Sequence, residues 1–290
     1  MHTVRYRAAD EPDVGESADV FLTTVADLAR RNGLATPAFT RATLDPVYRH
    51  ILRTGIFEVA EVGGRIGAIC HALVRDHLWF LSGFWVLPEL QRQKIGGPLL
   101  QRVWDEGQRR GATTAFTWSS IDLTAMATYM KLGMLPGYPI LTFAGAVAAI
   151  PDAPAGYEVR PLTIPVAMAI DDQVRSTRRE MEHAFWLAGP AEGQQVLSEG
   201  RAVGYYYATG GVIGPAAWSA PRDAEALIGL SLRHAVRQAD TVRVMIPGVN
   251  RTAIRRSLSA GLRLLGFSHL LTTAPFGRMD QYIPSGPSLF

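Results

Sequence analysis

Two rhythms alternate along the chain. Val4–Arg7 has the alternation of a short strand, and Val20–Arg31 spaces its apolar residues as one face of a helix. Pro46–Arg53 reads as a second helix, with Asp45 at its N-cap and Pro46 at the first helical position, where no N–H is needed. Phe57–Val62 and Arg65–Val74 then read as two strands around Gly63-Gly64, a hairpin signal. Trp79–Val86 is an almost unbroken apolar run ended by Pro88, which predicts a strand covered on both faces. Beyond Gln91–Gly97, Leu99, Leu100, Val103 and Trp104 return to helical spacing from Pro98 onward. Thr113–Trp118 is strand-like. Asp122 caps a further helix that carries Leu123, Met126, Ala127 and Met130 on one face and stops at Gly133. The Pro-, Ala- and Gly-rich run from Ala144 to Gly156 reads as a linker.

The second half repeats the first. An ungapped offset of 128 carries Leu99 to Leu227, Thr113–Trp118 to Thr241–Ile246, Asp122 to Asn250 and Gly133 to Gly261. Upstream, Gly64-Arg65-Ile66-Gly67 matches Gly200-Arg201-Ala202-Val203-Gly204 at a slightly larger offset. Strand, cap, helix and terminating glycine recur together, so the chain contains two copies of one α/β unit.

Composition narrows the class. Hydrophobic residues make up 48 % and charged residues 19 % of the 290, enough to bury a sizeable core. Cys70 is the single cysteine, which rules out an intrachain disulfide and a cysteine-based zinc site. The 29 Lys+Arg and 26 Asp+Glu give a net charge of +3, and the arginines are spread rather than clustered, so nucleic acid is not the expected partner. No apolar run approaches the ~20 residues of a membrane span, and the N-terminus lacks a signal-peptide core. The expectation is a cytoplasmic protein without membrane attachment, monomeric or homodimeric.

Candidate chemistry begins at the loop after the apolar strand. Strand, glycine-containing loop, then helix is an arrangement that binds phosphates: loop N–H groups from Gln93 to Gly97 converge, and the positive end of the following helix adds to them. Gly96 and Gly97 let backbone approach a ligand, Arg92 and Lys94 supply charge, and Pro98 donates nothing. The loop fits neither the Gly-x-x-x-x-Gly-Lys-Ser/Thr nor the Gly-x-Gly-x-x-Gly pattern. The run from Val86 through Gln91-Arg92-Gln93-Lys94-Ile95-Gly96-Gly97 to Leu100 resembles the acyl-CoA pyrophosphate loop of the GCN5-related N-acetyltransferases (GNAT), with Lys94 where that family's first glycine is usual. A second stretch, Ala125-Met-Ala-Thr-Tyr129-Met-Lys131-Leu-Gly133-Met134, resembles the family's Ala-x-x-x-Tyr-x-Lys-x-Gly-Phe segment, with Met134 for phenylalanine.

The resemblance implies an α/β fold of two tandem GNAT-like domains, each a mixed, mostly antiparallel sheet flanked by helices. Their expected bounds are 1–145, a 146–156 linker and 157–290. It further implies acetyl-CoA as acyl donor and no metal. The Trp85–Val86 backbone would pair with the pantetheine amides, and Gln91, Arg92, Gln93, Lys94, Ile95, Gly96 and Gly97 would hold the pyrophosphate. Tyr129 would protonate the departing thiolate, a task suited to a phenol of pKa near ~10. The second copy has Ser219-Ala220-Pro221-Arg222-Asp223-Ala224-Glu225 in place of the loop and Ser257 in place of Tyr129, so it resembles the degenerate half of bacterial tandem acetyltransferases. The closing Phe276-Gly277-Arg278-Met279 is similar to that group as well.

The acceptor side is less legible. Glu58 is the candidate for drawing off the amine proton, with His71 and Ser82 behind it, and Cys70 reads as a buried small hydrophobe. Trp79, Trp85 and Tyr205-Tyr206-Tyr207 either line an acceptor cleft or pack the core. The expected reaction moves an acetyl group to a primary amine by direct attack, a small molecule being favoured over protein N-termini and lysines. The rival readings are a non-catalytic acyl-CoA-binding sensor or partner-docking protein, and an enzyme using a longer acyl donor.

Overall fold

A computed structural model describes residues 3–36, 38–150 and 155–290. The chain divides into two compact units, residues 1–117 and 118–290. The first holds β1 (Val4–Ala8), α1 (Asp13–Arg31), α2 (Arg41–Thr54), β2 (Ile56–Val62), β3 (Arg65–Arg75), β4 (Leu78–Val86) and α3 (Gly96–Arg109), and most of β5 (Thr114–Ser119). Its strands lie in the order β1-β2-β3-β4-β5. The first four run antiparallel in sequence, and β5 joins β4 in parallel.

Strand alternation sends successive side chains to opposite faces. Phe57 meets Tyr48 of α2, with ring centroids 5.6 Å apart. Its neighbour Glu58 accepts from Arg102 Nε of α3 at 2.7 Å. The helices thus cover both faces of a sheet whose middle, Val59, Ala60, Ile69 and Cys70, is fully buried.

One helix starts earlier than its proline suggests. α2 begins at Arg41, and its N-cap is Thr40, not Asp45; Thr40 and Thr43 cap each other reciprocally. Pro46 therefore lies inside the helix. It removes one N–H from the ladder, a loss the upstream cap offsets.

The second unit comprises α4 (Leu123–Lys131), β6 (Leu135–Gly145), β7 (Tyr157–Pro161), α5 (Ile164–Arg175), α6 (Glu180–Ala188), β8 (Glu192–Ser198), β9 (Arg201–Thr209), β10 (Val212–Trp218), α7 (Ala224–Ala235), β11 (Val242–Pro247), α8 (Arg251–Ser259), β12 (Arg263–Thr272) and the two-residue β13 (Tyr282–Ile283). Its strands lie in the order β12-β6-β11-β10-β9-β8-β7, with β13 beside β10. The 128-residue repeat holds element by element: β5, α4 and β6 start at 114, 123 and 135, and β11, α8 and β12 at 242, 251 and 263. Asp122 accepts from the amides of Thr124 and Ala125, and Asn250 from that of Ala253. Gly133 and Gly261 end the two helices at φ +86° and +90°, a conformation costly for any residue with a Cβ.

The spatial division does not fall at the 146–156 linker. β6, the last strand of the first sequence copy, pairs antiparallel with β11 along Val242↔Gly145 to Pro247↔Ile140 and with β12 along Arg263↔Ala144 to Thr272↔Leu135. Two ladders tie it to the second unit, so the units divide between Thr117 and Trp118. Residues 151–154 of the expected linker lie outside the described residues.

Candidate functional site

The site of the first unit is built on the parting of two strands. β4 and β5 pair from Leu78↔Thr114 to Leu81↔Thr117, where the ladder ends. At that level β4 carries a bulge: His71 faces Gly83 and Ala72 faces Leu81, so Ser82 is the extra residue. The Thr117 hydroxyl donates to the Leu81 carbonyl at 3.0 Å and satisfies it where the ladder stops. β4 continues beside β3 through Ile69↔Trp85 to Ala68↔Val86. A strand parted from its neighbour is a place where an extended amide chain can pair.

Directly beyond, a 3-10 turn, Pro88–Leu90, leads into Gln91–Ile95 and then α3. Side chains fix this loop from within. Gln91 Nε2 donates to the Val86 carbonyl at 3.0 Å, Gln93 Nε2 to the Glu89 carbonyl at 2.8 Å, and the Tyr6 hydroxyl to the Ile95 carbonyl at 3.1 Å. Both glutamine amides therefore hold the loop's shape, and the Val86 carbonyl is already occupied by Gln91.

Arg92 and Lys94 both sit at φ +62°. A side chain there costs roughly 1–2 kcal/mol that glycine avoids. Lys94 keeps the left-handed bend expected of a glycine at that place. Ile95, at the N-cap of α3, gives no side-chain acceptor to the first turn. The amides of Gly96 and Gly97 thus open the helix without a side-chain cap, at its positive end.

The two glycines differ in purpose. α3 begins at Gly96, not Pro98, which lays Gly96 against β4. A Cβ at Gly96 would stand 2.8 Å from Phe84 Cζ and 3.2 Å from Val86 Cγ2, so packing demands this glycine, rather than ligand approach. A Cβ at Gly97 would meet no heavy atom within 4 Å.

The other sequence candidates separate. Tyr129 lies in the second unit, where it and Met126 form the buried side of α4. Glu58 is engaged by Arg102. His71 is 1 % exposed, flanked by Tyr48 and Phe57, and neither ring nitrogen has a hydrogen-bond partner among the described residues. Burial lowers its pKa to about 3. Cys70 is fully buried; burial, and then the charge of Glu58, push its thiol pKa well up.

Trp79 does not line a cleft: it is fully buried, packed on Trp104 and so close to α3 that a Cβ at Gly107 would fall 2.2 Å from its ring. Tyr205, Tyr206 and Tyr207 are likewise core residues of the second unit. Trp85 differs, being half-buried on the face opposite Phe84 and Val86. Phe21 of α1 meets it edge-on at 5.0 Å and meets Phe39 at 5.3 Å. This partly open aromatic group was hidden in the sequence, because Phe21 reaches Trp85, and brings Phe39 with it, only when α1 crosses β4.

The equivalent places in the second unit are filled. β10 leaves β11 after Ile213↔Val244, and β13 then pairs with the released stretch at Ala216↔Ile283 and Ala217↔Tyr282. Gln281 Nε2 donates to the Trp218 carbonyl at 2.7 Å, and Asn250 Nδ2 to that of Tyr282 at 3.1 Å. At the start of α7 stands the buried carboxylate of Asp223, accepting from the Tyr157 hydroxyl at 2.9 Å. Glu225 beside it pairs with Arg256. Ser257, the counterpart of Tyr129, is buried in α8.

Comparison with known proteins bears on the fold. Residues 36–134 match the model of the acetyltransferase (GNAT) family. No curated protein matches the chain. Solved structures match along nearly its whole length. One described as a "Putative Acetyltransferase" from Pyrococcus horikoshii has TM-score 0.79 at 16 % identity, covering 99 % of this chain and 96 % of that one. A GCN5-related N-acetyltransferase from Sphaerobacter thermophilus has TM-score 0.66 at 16 % identity, covering 96 % and 98 %. A tandem GNAT protein from the clavulanic acid biosynthesis pathway has TM-score 0.62 at 15 % identity, covering 94 % and 99 %. At such identities the likeness is one of fold.

Proposed function

We propose that this chain, whose residues 36–134 match the model of the acetyltransferase (GNAT) family, is a tandem N-acetyltransferase that moves an acetyl group from acetyl-CoA to a primary amine of a small molecule. The observation that carries this reading is the parting of β4 from β5 after Leu81↔Thr117, followed by a bent loop and an α3 start without a side-chain cap. The pantetheine amides would pair along β4 near Trp85, and the pyrophosphate would take the amides of Gly96 and Gly97, with Arg92 and Lys94 as counter-charges. The neutral amine attacks the thioester carbonyl carbon, the C–S bond breaks, and Tyr129 gives its proton to the leaving thiolate. The proton shed by the amine passes to solvent, and solvent returns one to the Tyr129 phenolate. In the second copy β13 pairs with the counterpart stretch of β10, and the buried carboxylate of Asp223 at the N-cap of α7 puts negative charge where a second phosphate would have to approach.

A panel of acyl-CoA donors against amines, read by thiol release, tests the reading. Acetyl-CoA with at least one amine should release CoA. Tyr129→Phe should lower kcat by about 10²-fold, the low end for a general acid, with acetyl-CoA affinity little changed. Tight CoA binding with no thiol release from any amine would favour the sensor reading instead.

A further inference from the structure

Beyond its parting from β5, β4 has two faces, and α3 closes one of them. Phe84 and Val86 lie on that face, where a Cβ at Gly96 would stand 2.8 Å from Phe84 Cζ and 3.2 Å from Val86 Cγ2. Gly83 and Trp85 lie on the other, the face of α1 and α2. The buried ring of His71 fills the space over Gly83, its Nε2 only 2.4 Å from where a Cβ would be. At Trp85, one step further along this face, the packing opens, and the indole is half-buried.

α1 crosses β4 at this level. The Thr24 hydroxyl lies 3.4 Å from the Val86 carbonyl. Phe21, one turn earlier, stands edge-on to Trp85, with ring planes at 88° and centroids 5.0 Å apart. Phe39, between α1 and α2, meets Phe21 at 5.3 Å and is 40 % exposed. Three rings thus run from the strand outward to solvent. Open aromatic surface takes an apolar body, and a ring best of all, through offset or edge-to-face contact.

Charge narrows the ligand further. From Phe21 to Arg41 every charged side chain is in an ion pair: Asp27 with Arg30 and Arg31 at 2.6 and 2.7 Å, and Arg41 with Asp19. This stretch has no spare carboxylate for a second ammonium and no spare cation for a carboxylate or phosphate. A polyamine or an amino acid would bring a charge that these rings leave unanswered.

We propose that Trp85, Phe21 and Phe39 select the acetyl acceptor, and that its class is a primary amine on an apolar, ring-bearing body with no further charge. α3 shuts the Phe84 face, so an acceptor reaches a thioester held along β4 over the Trp85 face, with its body against these rings. The assignment rests on the acetyltransferase reading, which places the thioester on that edge of β4.

The test sets 3-phenylpropylamine against n-propylamine, spermidine and phenylalanine on the full chain with acetyl-CoA, read by thiol release. Its kcat/KM should exceed that of each other amine by about tenfold or more. Phe39→Ala, at an exposed position, should fold and should cut the ratio of 3-phenylpropylamine to n-propylamine by about fivefold or more. The basicities of the two amines cancel when that ratio is compared between wild type and variant. Phe39→Tyr, which keeps a ring, should retain the wild-type ratio. Calorimetry with CoA in place of acetyl-CoA should show the same preference as affinity, without any chemistry. Thiol release that favours spermidine or phenylalanine, or a ratio that survives Phe39→Ala, would overturn the aromatic selection and leave the acetyltransferase reading standing. No thiol release from any amine, with the calorimetric preference intact, would overturn the acetyltransferase reading and leave the rings as a binding site. Absence of both would overturn both.

Discussion

The hydroxyl of Thr117 donates to the carbonyl of Leu81 at 3.0 Å, on the last rung where β4 and β5 run side by side. Thr117 is buried, so the bond closes the ladder without help from solvent. Thr117→Val keeps the shape and removes one buried donor from the Leu81 carbonyl, which should cost about 1–3 kcal/mol. Chemical denaturation should show the loss, and acetyl-CoA affinity should fall with it if this rung sets where the strands part. Thr117→Ser should restore both.

The glycines of the loop predict opposite outcomes. Gly96→Ala forces a methyl against Phe84 and should lower stability by about 1–3 kcal/mol, as overpacking does. Gly97→Asp has room for its side chain and places a carboxylate at the proposed pyrophosphate site. Its Tm should stay near wild type while CoA binding falls at least tenfold by calorimetry. Wild-type protein should titrate to one CoA per chain. Wild-type CoA affinity in folded Gly97→Asp would move the phosphate site elsewhere.

Glu58 accepts from Arg102, a side chain about half exposed. With its arginine half in solvent, such a pair is worth roughly 1 kcal/mol. Glu58→Gln should therefore change stability little and, with the carboxylate engaged by Arg102, leave kcat within about threefold and the shape of its pH profile unchanged. A rate falling by ~10² or more would make Glu58 the base after all.

Acid should weaken the fold through His71. Its folded pKa, about 3, lies below the ordinary 6.5, so the unfolded chain takes up a proton first as pH falls. Stability from this group is whole above pH ~6.5 and drains away between there and pH ~3, by up to about 1.4 kcal/mol per pH unit. His71→Phe keeps a ring between Tyr48 and Phe57 and removes two unmet nitrogens. The variant should be at least as stable at pH 7 and show a flatter acid limb in urea titrations from pH 7 to 4.

Much of the fold was legible because it is local. Asp122 and Asn250 cap their helices through amides two or three residues away, and Gly133 and Gly261 end them by their own backbone angles, so short windows of sequence suffice. The loop from Gln91 to Gly97 could be recognised for the same reason. Lys94 takes the bend of the glycine it replaces, a fact its residue type would not suggest.

What the sequence by itself determined, then, is the order of elements, their duplication at 128 residues, the two caps and the contrast between the glycine loop and its acidic counterpart. Tertiary structure alone decided which strands became neighbours and which polar groups lost water. β6 has no local reason to lie between β11 and β12, nor β13 to take the edge of β10, since pairing ladders form between residues far apart in the chain. Gly96 is required by Phe84, which no spacing rule connects to it. Tyr205 and Tyr207 could equally have lined a cleft, until Asp171, Arg179 and His183 closed around their hydroxyls. Arg175 reads as one more solvated helix arginine. Only the packing of Tyr282 and Phe290 against it removes the water its donors would otherwise keep.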